Sequence, residues 1–98
     1  MQRRARLSLP GIPWRIIQRG NNRSAYFYAD GDYHLYLYTL KEQAEKYGCR
    51  VHAYVLMTNH VHLLITPERK DSAALLMKHL GQRYVQYINR TYKRSGTL

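Results

Sequence analysis

Acidic side chains are scarce in this 98-residue chain: six Asp and Glu stand against sixteen Lys and Arg, for a formal net charge of +10. That balance excludes a partner rich in positive charge and points to a polyanion, nucleic acid first. An anionic membrane surface is the rival, but no long basic amphipathic helix supports it. Cysteine is limited to Cys49, which excludes an internal disulfide and suits a reducing compartment. It also leaves a closed structural zinc site short of ligands. No apolar run is long enough to span a bilayer, and no apolar signal segment follows the basic stretch Met1 to Arg6. The expectation is a cytoplasmic protein with no membrane partner. Phenylalanine occurs once against ten tyrosines, so the core must accommodate polar tips or face a polar ligand. Repeats, low-complexity tracts and linkers are absent, which leaves one domain over residues 1–98.

What is present reads as alternating elements. Residues 1–13 are basic, then broken by Pro10, Gly11 and Pro13, and form either a frayed terminus or an arm that touches a ligand. Trp14 to Arg19 reads as a short strand ending in a turn at Gly20, Asn21 and Asn22. Asp30 or Asp32 can cap a helix over Tyr33 to Tyr47 that stops at Gly48. Tyr33, Leu37, Leu40, Ala44 and Tyr47 share one face of it. Its acids make it the least suited surface for DNA. Cys49 to Met57 and His60 to Thr66 are β-rich runs around a Thr58-Asn59 break, which predicts a hairpin. Asp71 or Ser72 then caps a long helix from Ala73 to about Lys93, with Leu76, Leu80, Tyr84, Tyr87 and Ile88 as its apolar stripe. Strand, helix, strand, strand, helix is most of a ferredoxin-like split βαβ sandwich. The fold class is thus α+β, an antiparallel sheet with helices packed on one face.

The hairpin carries the most chemistry. His60 and His62 lie two apart on a strand, so their imidazoles stand side by side on one face and can share a metal ion. With Thr58-Asn59 as the turn, Val55 falls opposite His62 and Met57 opposite His60. Leu56, Val61, Leu63 and Ile65 line the other face. His52 falls on the face opposite the pair in this register and reads as structural. Taken alone, a His-x-His strand is usually two half-exposed residues without a ligand. Basic residues concentrate in residues 1–29, where six Arg meet no acid, and on the second helix, where Lys78, Arg83, Arg90, Lys93 and Arg94 follow the last acid, Asp71. Those two regions are the candidate DNA-binding surface.

Asn59-His60-Val61-His62-Leu63-Leu64 after an apolar strand, with Arg19-Gly20-Asn21-Asn22-Arg23 upstream, resembles the HUH-type single-tyrosine transposases. These include the enzymes of small insertion sequences and those associated with repetitive extragenic palindromes. The resemblance runs over nearly the whole chain and is most specific from Tyr54 to Leu64. It implies that His60 and His62 hold a divalent metal, Mg2+ or Mn2+, which polarises the scissile phosphate of single-stranded DNA. It implies hairpin-bearing substrates, and places Arg19, Asn21, Asn22 and Arg23 on the family's Arg-Gly-Asn-x-Arg stretch. A tyrosine hydroxyl then attacks the phosphate, leaving a 5′-phosphotyrosine link and a free 3′-hydroxyl. In the family that tyrosine and a third metal ligand come from a helix beyond a segment like Ser95 to Leu98. The resemblance therefore describes a truncated transposase whose catalytic residue is unknown and whose own enzymatic competence stays open. It also implies a homodimer. The alternative is a non-catalytic nucleic-acid-binding module, or a regulatory remnant that occupies DNA ends. Tyr54 is the only aromatic in the hairpin strands, which counts against a base-stacking sheet of the RNA-binding kind.

Overall fold

A computed structural model describes residues 9–20, 25–96 and 98. Strand β1 (Trp14–Arg19) is followed by helix α1 (Asp30–Tyr47), strands β2 (Cys49–Met57) and β3 (His60–Pro67), and helix α2 (Ser72–Tyr92). The sheet order is β1-β3-β2, with β3 antiparallel to both neighbours. Helix α1 thus carries the chain from β1 over to β2, and the hairpin returns β3 into the gap. This is the α+β split βαβ arrangement expected from the order of elements.

The middle strand decides which face is covered. Val61, Leu63 and Ile65 are buried and pack in one core with Leu40 and Ala44 of α1 and Leu76, Leu80, Tyr84 and Ile88 of α2. Both helices therefore lie on that face, and the residues between, His60, His62 and Leu64, point to the uncovered one. Pairing is Val55 with His62 and Met57 with His60, as the turn at Thr58-Asn59 requires. On the other side Ile17 pairs with His62 and Arg19 with His60.

One part of the predicted register fails. A bulge between Val51 and Ala53 inserts an extra residue into β2, and an inserted residue reverses the inside-outside alternation on one side of it. His52 consequently shares the open face with the histidine pair, where its Nε2 lies 2.6 Å from the Thr66 hydroxyl. The contact keeps it structural, but the face assigned from simple alternation was the wrong one.

Helix α1 begins at Asp30, earlier than Tyr33, because its N-cap is Ala29 and neither expected aspartate caps it. Asp32 sits instead at the third helical position and accepts from the Ala29 N–H at 3.0 Å, half of a capping box. Its apolar face Tyr33, Leu37, Leu40 and Ala44 turns to the sheet. A second buried stripe of Asp32, Tyr36, Thr39 and Gln43 turns to α2. The stripe toward α2 is mostly polar, so hydrophobic periodicity did not reveal it. At the far end Gly48 closes the helix with φ +72°, and its N–H donates to the Ala44 carbonyl.

The tyrosines resolve into an internal cluster. Tyr26 and Phe27, from the segment between β1 and α1, are buried against Tyr36 and Tyr84. The Tyr84 hydroxyl donates to the Tyr26 carbonyl at 2.7 Å, while the Tyr26 and Phe27 N–H groups donate to the Thr58 carbonyl. The aromatic knot thus ties α2 and the connecting segment to the tip of the hairpin. Burial pushes the Tyr26 hydroxyl up to about 12 and those of Tyr36 and Tyr84 further in the same direction. Cys49 is buried, and that burial, with the Glu68 carboxylate nearby, raises its thiol to about 11. Among the described residues no helix is long and apolar enough to cross a membrane.

Candidate metal centre on the open face of the sheet

The uncovered face is built from three pleated rows. Arg15, Ile17 and Arg19 of β1 flank Leu64, His62 and His60 of β3, and Ala53, Val55 and Met57 of β2 lie on the far side. Its apolar members are open to solvent, with Val55 54% exposed. A shallow hollow of about 90 Å³ beside His62 is bounded by Arg15, Ala53, Val55 and Leu64. The result is an apolar floor with imidazoles and guanidinium-bearing residues set along it.

Strand pleating holds the two histidines at one edge of this floor. Their ring centroids are 5.0 Å apart with planes at 66°. Asn59 Oδ1 lies 2.8 Å from His60 Nδ1. The amide oxygen there accepts a hydrogen bond from Nδ1–H, so Nε2 is the ring nitrogen left to face a metal. A pair of imidazoles can offer a divalent metal at most two donors. They do not complete its shell: among the described residues no group of three or more His, Cys, Asp or Glu could hold a metal ion.

The remaining expected site residues divide by location. Arg19 ends β1 directly across from His60. Asn21, Asn22 and Arg23 lie outside the described residues, although the Gly20 N–H that leads into them donates to the Asn59 carbonyl at 3.0 Å. Lys78, Arg83 and Arg90 are exposed on α2, which packs on the covered face, so they are not brought to the histidines. Lys93 forms the left-handed C-cap of α2, and the Arg94 guanidinium donates to Asn89 Oδ1 at 3.0 Å.

A polar cluster that sequence reasoning missed sits between the helices. The Asp32 carboxylate is buried and accepts four hydrogen bonds, from the Tyr28 and Ala29 N–H groups and from the Tyr87 and Tyr92 hydroxyls, at 2.8 to 3.0 Å. Burial alone would raise its pKa, but the four donors outweigh it and hold the group below the usual carboxylate range. The same bond pushes the Tyr92 hydroxyl up to about 12 and raises that of Tyr87. Tyr92 retains 37% exposure but has its hydroxyl committed to Asp32. Only an aspartate at the third position of a helix hinted at the cluster; nothing in the spacing of Tyr87 and Tyr92 did.

No curated protein matches the chain at a significant level. Residues 9–97, however, match the family model of the IS200-like transposases. That span takes in β1, the histidine hairpin and both helices, and this chain belongs to the IS200-like transposase family.

Proposed function

We propose that this chain is the metal- and DNA-binding part of a transposase that cuts and rejoins hairpin-bearing single-stranded DNA through a phosphotyrosine link. The observation that carries the reading is the adjacent His60 and His62 on an uncovered sheet face, with Arg19 across from His60. In it His60 and His62 hold Mg2+ or Mn2+ through ring nitrogens, with Asn59 fixing the His60 ring. An ion held there would supply Lewis-acid polarisation of a phosphate oxygen. Arg19 places a phosphate by charge-assisted hydrogen bonds, assisted by Asn21, Asn22 and Arg23. Ile17, Val55 and Met57 offer apolar surface on which bases can lie.

The nucleophile is assigned to none of the α2 tyrosines. Tyr84 is buried, and the hydroxyls of Tyr84, Tyr87 and Tyr92 are all donated to protein acceptors. A raised pKa leaves Tyr92 less able to release its proton than a free tyrosine. The domain is assigned to binding and phosphate positioning over residues 1–98, in a homodimer in which another element supplies the attacking hydroxyl. A regulatory chain that occupies DNA ends uses the same face without the covalent step.

Binding of a hairpin-tailed single strand, with and without Mn2+, tests the assignment. The expected outcome is tighter binding with the ion, abolished in His60→Ala/His62→Ala. Binding indifferent to both would make the histidine pair idle.

A further inference from the structure

On the side of the helical layer away from the sheet, α1 and α2 enclose a groove of about 320 Å³. One wall carries Tyr38 and Glu42, the other Arg83, Gln86 and Arg90. Tyr38 is 65% exposed, and among the described residues its ring touches no other aromatic and neither arginine makes an ion pair. An aromatic ring held in water beside two unpaired guanidiniums is not explained by packing. Arg83 and Arg90 are seven residues apart, hence at nearly one azimuth and about 10 Å apart along the helix, a spacing that follows a strand. Lys78, five residues before Arg83, lies well around the helix and outside the groove.

The two walls also differ in sign. Glu42 repels phosphate from the α1 wall, while Arg83 and Arg90 attract it to the α2 wall. A strand in the groove is therefore oriented, backbone on α2 and base toward α1. There the Tyr38 face offers stacking, and the Gln86 amide and Glu42 carboxylate are set to meet a base edge.

We propose that this groove binds an unpaired nucleotide of single-stranded nucleic acid, with the base stacked on Tyr38 and the flanking phosphates on Arg83 and Arg90. The ligand class rests on the nucleic-acid reading above, but neither the histidines nor a metal is involved. The site lies on the opposite side of the molecule from them, and it places part of the contact on α1, the helix whose acids argued against DNA.

The test is fluorescence anisotropy of a labelled oligothymidine with the full chain in the presence of a chelator. Tyr38→Ala is expected to weaken binding about tenfold, with Tyr38→Phe within about twofold of the parent, as base stacking requires. Arg83→Ala/Arg90→Ala should flatten the log–log salt dependence by about 1.4, the share of two phosphate contacts on a single strand. His60→Ala/His62→Ala, measured beside them, reports any share of the strand held on the sheet face. Parent-like binding by Tyr38→Ala overturns the proposal, as does an equal loss toward a blunt duplex. Should only the histidine variant lose affinity, the strand lies on the sheet face, and the groove is rejected while the nucleic-acid reading stands. Failure of the parent to bind rejects the groove, while the histidine reading is decided separately by the hairpin-tailed strand with Mn2+.

Discussion

Asp32 is the residue on which most of the helical layer converges. Its four donors come from the segment before α1 and from two turns of α2, so one carboxylate fixes the angle between the helices. Asparagine at this position keeps the shape and can leave its oxygen to the Tyr28 and Ala29 N–H groups, which share Oδ2, but it turns an NH2 group toward the Tyr87 hydroxyl and removes the charge from all four bonds. Asp32→Asn is expected to destabilise the protein by about 2 kcal/mol at neutral pH, the scale for exchanging charge-assisted bonds for neutral ones. The sign with pH follows from the direction of the shift. Because the folded-state pKa is lowered, the contribution is complete above the unfolded value near 3.9 and is lost as pH falls through the folded one. Urea unfolding at pH 7 and in acid measures it. A gap between parent and variant that stays constant into acid would show that the carboxylate charge is not what the tyrosines hold.

Two glycines of the helices, one a cap and one interior, have opposite requirements. Gly48 ends α1 at φ +72°, and a Cβ there would come 2.9 Å from the Arg69 guanidinium, whose other nitrogen donates to the Tyr47 carbonyl. The arginine can move, so the left-handed backbone sets most of the cost: Gly48→Ala should lose about 1–2 kcal/mol. Gly81 lies inside α2 with open space at its Cβ, so Gly81→Ala should gain about 0.5–1 kcal/mol. Thermal melts of the two variants should move in opposite directions, and a shared direction would contradict the cap assignment. Gly48 was legible in the sequence because a stop glycine follows an apolar period. The hairpin register was legible for the same reason, since a two-residue break between alternating runs leaves few pairings. The bulge at Val51/Ala53 was not, because an inserted residue leaves no compositional mark, and it misplaced His52. The stripe of α1 that faces α2 was hidden because three of its four members, Asp32, Thr39 and Gln43, are polar and are satisfied or packed only in the folded chain.

For the whole molecule, the sheet separates two sets of basic residues that composition alone had merged. A net charge of +10 reads as one footprint, yet Arg15 and Arg19 stand with the histidines on the open face while Arg83 and Arg90 line the groove of the helical layer. The shortest dimension of the molecule is 19 Å, so both sets are within reach of one folded strand but not of one phosphate. Sites separated by a packed core and sharing no partner contribute additively. With a hairpin-tailed strand and Mn2+, the loss in binding free energy for Tyr38→Ala combined with His60→Ala/His62→Ala should therefore equal the sum of the separate losses within about 0.5 kcal/mol. A loss well short of the sum would mean that removing one contact already releases the other, as when a single stretch of strand depends on both surfaces. An additive result leaves each face able to hold its part of the DNA alone, the arrangement that lets one surface grip a hairpin while the other positions a phosphate.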